Sequence, residues 1–213
     1  NDANQTANLA LANAQELVRN GDFDPALGNP DSAESAIKFG SSKASTAPPV
    51  PFATYAELTD RDQQLDAVPI VAEQGRTYQF SAWLLADSTA TKPCGVGWHY
   101  KRPDGSDNWM PAFKKNPADV SVWTKFTGTL TIPSDASSYI KLWIQIDGSG
   151  GVNTNGWYIT GLSCKDITEA KAAQDAADAA QSTANSAQTA AANAAALANT
   201  AQAAAQGAQT TAD

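Results

Sequence analysis

Apolar residues recur along this chain with two different periods. From Ala170 to Ala212 alanine returns at alternating steps of three and four, at 170, 173, 177, 180, 184, 187, 191, 194, 198, 201, 205, 208 and 212. That is a heptad whose a and d positions are all alanine, and a period of 3.5 predicts a left-handed coiled coil. Half of residues 170–213 are alanine, yet so long a run by chance would arise only on the order of once in several thousand. Ala3, Ala7, Ala10, Ala14 and Leu17 keep the same spacing. The pattern predicts stalk helices over 1–17 and 168–213, one stalk interrupted by an inserted domain. A buried alanine methyl contributes only about 0.8 kcal/mol, so such a stalk relies on many heptads and on alanine's helix propensity.

Between these ends the period falls to two. Tyr78, Phe80, Ala82 and Leu84 alternate with Gln79, Ser81, Trp83 and Leu85. Phe126, Gly128, Leu130 and Ile132 alternate with Lys125, Thr127, Thr129 and Thr131. Ile140, Leu142, Ile144 and Ile146 alternate with Lys141, Trp143, Gln145 and Asp147. Alternation sends one set to a core and the other away from it. Turns at Glu73-Gln74-Gly75 and Pro103-Asp104-Gly105 punctuate the runs, residues 64–72 and "VGWHYKR" read as further strands, and no helical pattern intervenes. The expectation is a mostly β chain, an antiparallel sandwich over 18–167 flanked by the two Ala-rich coiled-coil helices, with "DGSDNWMPAFKKNPAD" read as a loop.

Composition sharpens the boundaries. All six Trp, five Tyr and six Phe lie between Phe23 and Tyr158. One domain of roughly 150 residues therefore holds the core, long enough to bury most of its apolar surface. The net charge is -8 and no basic run exceeds Lys114-Lys115, which argues against nucleic acid or an anionic membrane as partner. No run approaches the roughly 18 apolar residues of a membrane-spanning helix, and the sequence is read as containing no signal peptide. A chain that starts at Asn1 without Met and stops in mid-pattern at Asp213 reads as a piece of a longer protein. Cys94, Cys164 and a single His99 are too few for a metal site. The two thiols read as buried small apolar side chains or as one disulfide. Phosphate loops, nucleophile elbows and zinc-protease motifs are missing from the sequence, so the chain is read as no enzyme, without a cofactor.

The order "LVRNGDF … VAEQGRTYQFSAWLLAD … VWTKFTGTLTIP … IKLWIQID … WYITGLSCKDI" resembles the carbohydrate-binding modules of families four and nine, in the wider galactose-binding-like jelly-roll group, across residues 17–167. The Ala/Asn/Gln/Ser/Thr stalk resembles the repeats of bacteriophage tail fibres and tail-tip host-specificity proteins, inside which such domains occur. The resemblance implies a jelly roll whose first and last strands lie side by side. It also implies a virion location, host surface polysaccharide as the partner, and a homo-oligomeric stalk, a trimer by the same likeness. Family members often carry an Asp pair in the last strand near a structural calcium. Here the matching place is Thr160-Gly161, with Asp22 and Asp24 left as oxygen ligands.

A sugar ring presents apolar C–H faces and a hydroxyl edge. Its site needs open aromatic planes beside amides, carboxylates or cations. Alternation turns Trp143 away from the core between Lys141 and Gln145, and turns Trp83 away beside Gln79 and Ser81. If Val96, Trp98 and Tyr100 are core, His99 and Lys101 join the Trp143 face. Trp109 stands at the rim in its loop. Trp83, His99, Trp109, Lys141, Trp143 and Gln145 are the expected saccharide contacts. The competing expectation for an outer-face Trp is burial under a loop, the stalk or another subunit. Trp123 and Trp157 are expected to be structural.

Overall fold

A computed structural model describes residues 14–18, 20–27, 37–58, 72–137, 140–147 and 156–212. The chain divides into two compact units, Asn13–Thr168 and a second containing Glu169–Asp213. The first is built from β1 (Ile37–Phe39), β2 (Ala56–Leu58), β3 (Thr77–Ala86), β4 (Cys94–Lys101), β5 (Asp107–Lys115), β6 (Thr124–Thr131), β7 (Ile140–Ile146) and β8 (Trp157–Asp166). They form a five-stranded sheet in the order β1-β2-β8-β3-β6 and a three-stranded sheet in the order β5-β4-β7. All neighbouring strands are antiparallel.

The period-two pattern explains the core. Tyr78, Phe80, Ala82 and Leu84 on β3, Val96, Trp98 and Tyr100 on β4, and Leu142, Ile144 and Ile146 on β7 are buried together with Trp157 and Ile159 of β8. Each large side chain buried there contributes roughly 1.5–3 kcal/mol. Trp98 bridges the sheets, its ring meeting Tyr78 and Phe80 edge-on at 5.2 Å. Cys94 and Cys164 are free buried thiols within the same core. Burial pushes the Cys94 thiol up to about 12, so it stays protonated as a small apolar group. The expected strand run at 64–72 lies, but for Ala72, outside the described residues.

The structure changes the reading of two segments. Residues 14–17 are not a helical turn: Glu16 bridges Lys165, and the Leu17 amide donates to the Cys164 carbonyl at 2.8 Å. Further on, Leu162 donates to the Gly21 carbonyl at 2.7 Å. The start of the domain thus lies beside β8, as expected for first and last strands, and Leu17 packs against the core instead of ending a stalk seam. The β8 edge left unpaired beyond β2 needs backbone partners, and that demand outweighs alanine spacing. The predicted helix over 1–13 lies outside the described residues. The second correction concerns Trp109, which stands in β5 and not in a loop. Pro111 disguised the strand, but β5 is a sheet edge, where a missing N–H breaks no ladder.

Loop 41–55 covers one end of the outer face of the five-stranded sheet. Tyr55, Leu85 and Tyr158 form a second buried cluster with Ala44 and Trp123 packed against it. The Trp123 indole donates to the Thr46 carbonyl at 3.1 Å. Trp157 donates to the Lys92 carbonyl at 2.8 Å. Both tryptophans are structural.

The second unit holds α1 (Thr168–Ala212), 45 residues long, which corresponds to about 65–70 Å of helix. Lys171 pairs with Asp175 at 2.7 Å, and Gln174 and Gln181 bond Asp178 and Asn185 one turn on. From Asp178 to Gln209 every residue is exposed, including the alanine seam and Leu197. Among the described residues no helix is long and apolar enough to cross a membrane.

Asp166 provides a pH handle on the domain. Burial pushes its carboxyl up, but the Arg76 guanidinium and the Thr168 hydroxyl and amide outweigh this and hold it below the usual range. Asp87 is lowered in the same sense, its Thr89 and Tyr158 hydrogen bonds outweighing burial. A depressed folded-state value means that the stabilisation is complete above the unfolded value of about 3.9 and is lost as pH falls through the folded value. Thermal melts should therefore show a loss of stability below about pH 4. Asp166→Asn should cost about 1 kcal/mol at neutral pH and show a shallower acid loss. An unchanged acid slope in that variant would discount the Arg76–Asp166–Thr168 cluster.

Candidate functional site

The outer face of the three-stranded sheet follows from the core. Because Val96, Trp98 and Tyr100 point inward, Gly95, Gly97, His99 and Lys101 point out. Cross-strand register then assembles rows. Lys101 faces Asp107; His99 stands between Trp109 and Lys141; Gly97 between Pro111 and Trp143; Gly95 between Lys114 and Gln145. Five of the six sequence-predicted residues meet on this face: His99, Trp109, Lys141, Trp143 and Gln145.

Their environments differ. Trp109 is 44% exposed and stacks on His99, with ring centroids 4.8 Å apart and planes 8° from parallel. The His99 ring is buried at 4% exposure and its Nε2 lies 3.1 Å from Asp107 Oδ1. Lys101 Nζ donates to the same oxygen at 2.9 Å. These two contacts, Lys101 first, hold the Asp107 carboxyl below its usual range and keep it anionic. At the other end Lys114 Nζ pairs with Asp147 Oδ2 at 2.6 Å. The charges of this face largely compensate one another. Such exposed pairs add little stability but set the directions of donors and acceptors.

Trp143 departs from an open stacking plane. It points away from Leu142 and Ile144, as alternation requires, but is only 4% exposed. The two glycines of β4 explain the seat. Gly97 lies directly opposite Trp143, and a Cβ on Gly95 would stand 3.4 Å from the far edge of the indole. The ring lies against the bare backbone at Gly95, where a side chain longer than alanine would crowd it. Its Nε1 is buried with no hydrogen-bond partner among the described residues, an unmet donor at the floor of the face. The aromatic plane open to a ligand is therefore Trp109.

Trp83 does not join this group. It sits half-buried on the outer face of the five-stranded sheet, opposite Lys125 and Thr160. Sequence reasoning missed Asp107 and the two glycines. A signal for Asp107 existed: Lys101 and Asp107, like His99 and Trp109, are equidistant from Asp104 in the Pro103-Asp104-Gly105 turn, and a hairpin places such pairs opposite one another.

The residues do not fit the calcium that the family resemblance implies. Asp24 Oδ1 accepts from the Ala26 amide at 2.8 Å, and the Thr160 hydroxyl donates to the Thr54 carbonyl at 2.8 Å. Among the described residues no three His, Cys, Asp or Glu side chains stand together.

The close approach of β5 to Gly97 is open to test. A Cβ on Gly97 would meet the Met110 carbonyl oxygen at 1.9 Å, because the β-bulge at Val96/Gly97 carries the β5 backbone into that space. Gly97→Ala should lower stability by roughly 1–3 kcal/mol and disturb tryptophan fluorescence from this face. Equal melting temperatures would show that β5 yields freely there.

No curated protein matches the chain. Solved structures of low identity align with the chain. The tandem family 22 modules at the N-terminus of Xyn10C from Paenibacillus barcinonensis align with a TM-score of 0.50 at 9% identity, over 73% of this chain and 46% of that one. The N-terminal family 22 and glycoside hydrolase family 10 modules of a Clostridium thermocellum endo-1,4-β-D-xylanase, complexed with xylohexaose, align with a TM-score of 0.47 at 14% identity, over 72% of this chain and 28% of that one. A family 16 carbohydrate-binding module aligns with a TM-score of 0.47 at 15% identity, over 70% of this chain and 98% of that one. The chain spans less than half the length of the first two. A family profile described as a carbohydrate binding domain, uniting families 4 and 9, matches residues 15–150. That span holds both sheets' hairpins and the Trp109–His99 face, and the chain belongs to this family of carbohydrate-binding modules.

Proposed function

We propose that this is a non-catalytic module of a phage tail fibre or tail-tip protein, and that it holds host surface polysaccharide during adsorption. The observation that carries the binding half is the open Trp109 plane backed by His99, with Lys141 in the same row of the register and Lys101 and Asp107 in the next. A pyranose ring stacked on Trp109 would bring its hydroxyls to those polar groups. Charge compensation on the face favours reading hydroxyls over reading net charge. The adsorption half is supported by the exposed alanine seam of α1. On a trimeric stalk several weak sites would add avidity through effective concentration.

One observation favours a second reading, a domain that braces an oligomeric fibre with no ligand: Trp143 is buried. Binding separates the two. Wild-type protein should bind isolated surface polysaccharides of candidate hosts on a glycan array, and Trp109→Ala should weaken this roughly tenfold without moving the melting temperature. Equal binding by both proteins would remove Trp109 from the site; no binding by either would leave the bracing role.

The stalk has its own measurement. Sedimentation equilibrium of the full chain should give a trimer at micromolar concentration. A monomer there would refute the coiled-coil assembly.

A further inference from the structure

The outer face of the five-stranded sheet is covered at the Leu85 end and open at the other. There a groove of about 500 Å³ remains, within the range of roughly 300–1,000 Å³ usual for small-ligand sites. Gln79 and Ser81 of β3 lie beside their β8 partners Lys165 and Ser163 to form its floor. Lys125 of β6 flanks this floor, and Phe52 and the segment carrying Glu16 and Asp22 form the walls. Phe52 rests on Gly161, whose φ is +60° and whose missing Cβ would stand 2.5 Å from the ring. Glycine is what allows an aromatic ring to lie against β8 at that point.

The state of the polar groups selects the ligand. The Glu16 carboxylate is already engaged, accepting from the Val18 amide at 3.0 Å, the Cys164 amide at 2.8 Å and the Ser163 hydroxyl. The side chains of Gln79, Ser81, Lys125 and Lys165 have no hydrogen-bond or ion-pair partner among the described residues. Among the described residues the charged lining is balanced, two lysines against Glu16 and Asp22. Balanced charge disfavours both an anion and a cation, whereas unmet donors beside one aromatic ring complement a neutral polyhydroxylated ring.

The geometry points to a second saccharide site, on the sheet opposite the Trp109 face, that takes a short neutral oligosaccharide segment. Lys125 and Lys165 donate to ring hydroxyls, the Gln79 amide both donates and accepts, and Phe52 supports a C–H face. The two sites use different sheets and share no residue, so one module can grip two chains, or one chain twice.

Titration of the full-length protein with cellohexaose, mannohexaose and xylohexaose, followed by amide NMR, tests this. Saturable shifts are expected at Gln79, Ser81, Lys125 and Ser163 with at least one of these sugars. They should persist in Trp109→Ala. In the Lys125→Gln/Lys165→Gln double variant, whose lysines are surface residues, the affinity should fall at least about tenfold with the fold retained. Four results would overturn the proposal: no saturable shift at these residues with any of the three sugars, equal affinity in the double variant, loss of the shifts in Trp109→Ala, or shifts produced only by trigalacturonic acid.

Discussion

Trp98 is the residue on which the rest of the domain depends. Its ring meets Tyr78 and Phe80 across the sandwich, and both sheets close around it. Once Trp98 points inward, the period of two along β4 leaves no freedom. Val96 and Tyr100 must follow it into the core, and Gly95, Gly97, His99 and Lys101 must face out. A slip of one residue would bury Lys101 and His99 in an apolar interior and expose Trp98, a cost of many kcal/mol. The candidate face is thus a by-product of core packing.

That face is built in two depths. The Trp143 indole is buried against Gly95 of β4, while Trp109 on the edge strand is exposed and covers the buried His99 ring. The lower level is buried; the upper is open and rimmed by Lys101–Asp107 and Lys114–Asp147. Preorganised aromatic and charged groups lose little entropy on meeting a ligand, which matters when each contact with a sugar is weak.

The other sheet solves a different problem. Its outer face would expose Leu85, Tyr158 and the free edge of β8. Loop 41–55 covers the first two, and Glu16, Leu17 and Gly21 supply hydrogen bonds to the third. The ends of these two coverings leave a polar groove between them. The long helix stays uncovered along most of its length, since alanine and small polar residues give it propensity and little surface to bury.

Periodicity in the sequence was sufficient for the strands β3, β6 and β7, for which side chains enter the core, and for the helix α1. In each case the pattern is local and repeated, so no distant contact is needed to read it. The grouping of His99, Trp109, Lys141, Trp143 and Gln145 was partly legible, because alternation gives faces. Tertiary structure alone decided that Trp83 lies on the other sheet, since a strand's period does not say which sheet it joins. It also decided that Trp143 is sunk and Trp109 open, because exposure depends on what lies across the strand, here two glycines and a bulge. Residues 14–17 show the limit most plainly. Their alanine spacing is a local preference worth tenths of a kcal/mol per residue, and the backbone donors and acceptors on the free edge of β8 outbid it. Local pattern determines what a segment prefers; the unmet hydrogen bonds and empty volume of the assembled fold decide where it goes.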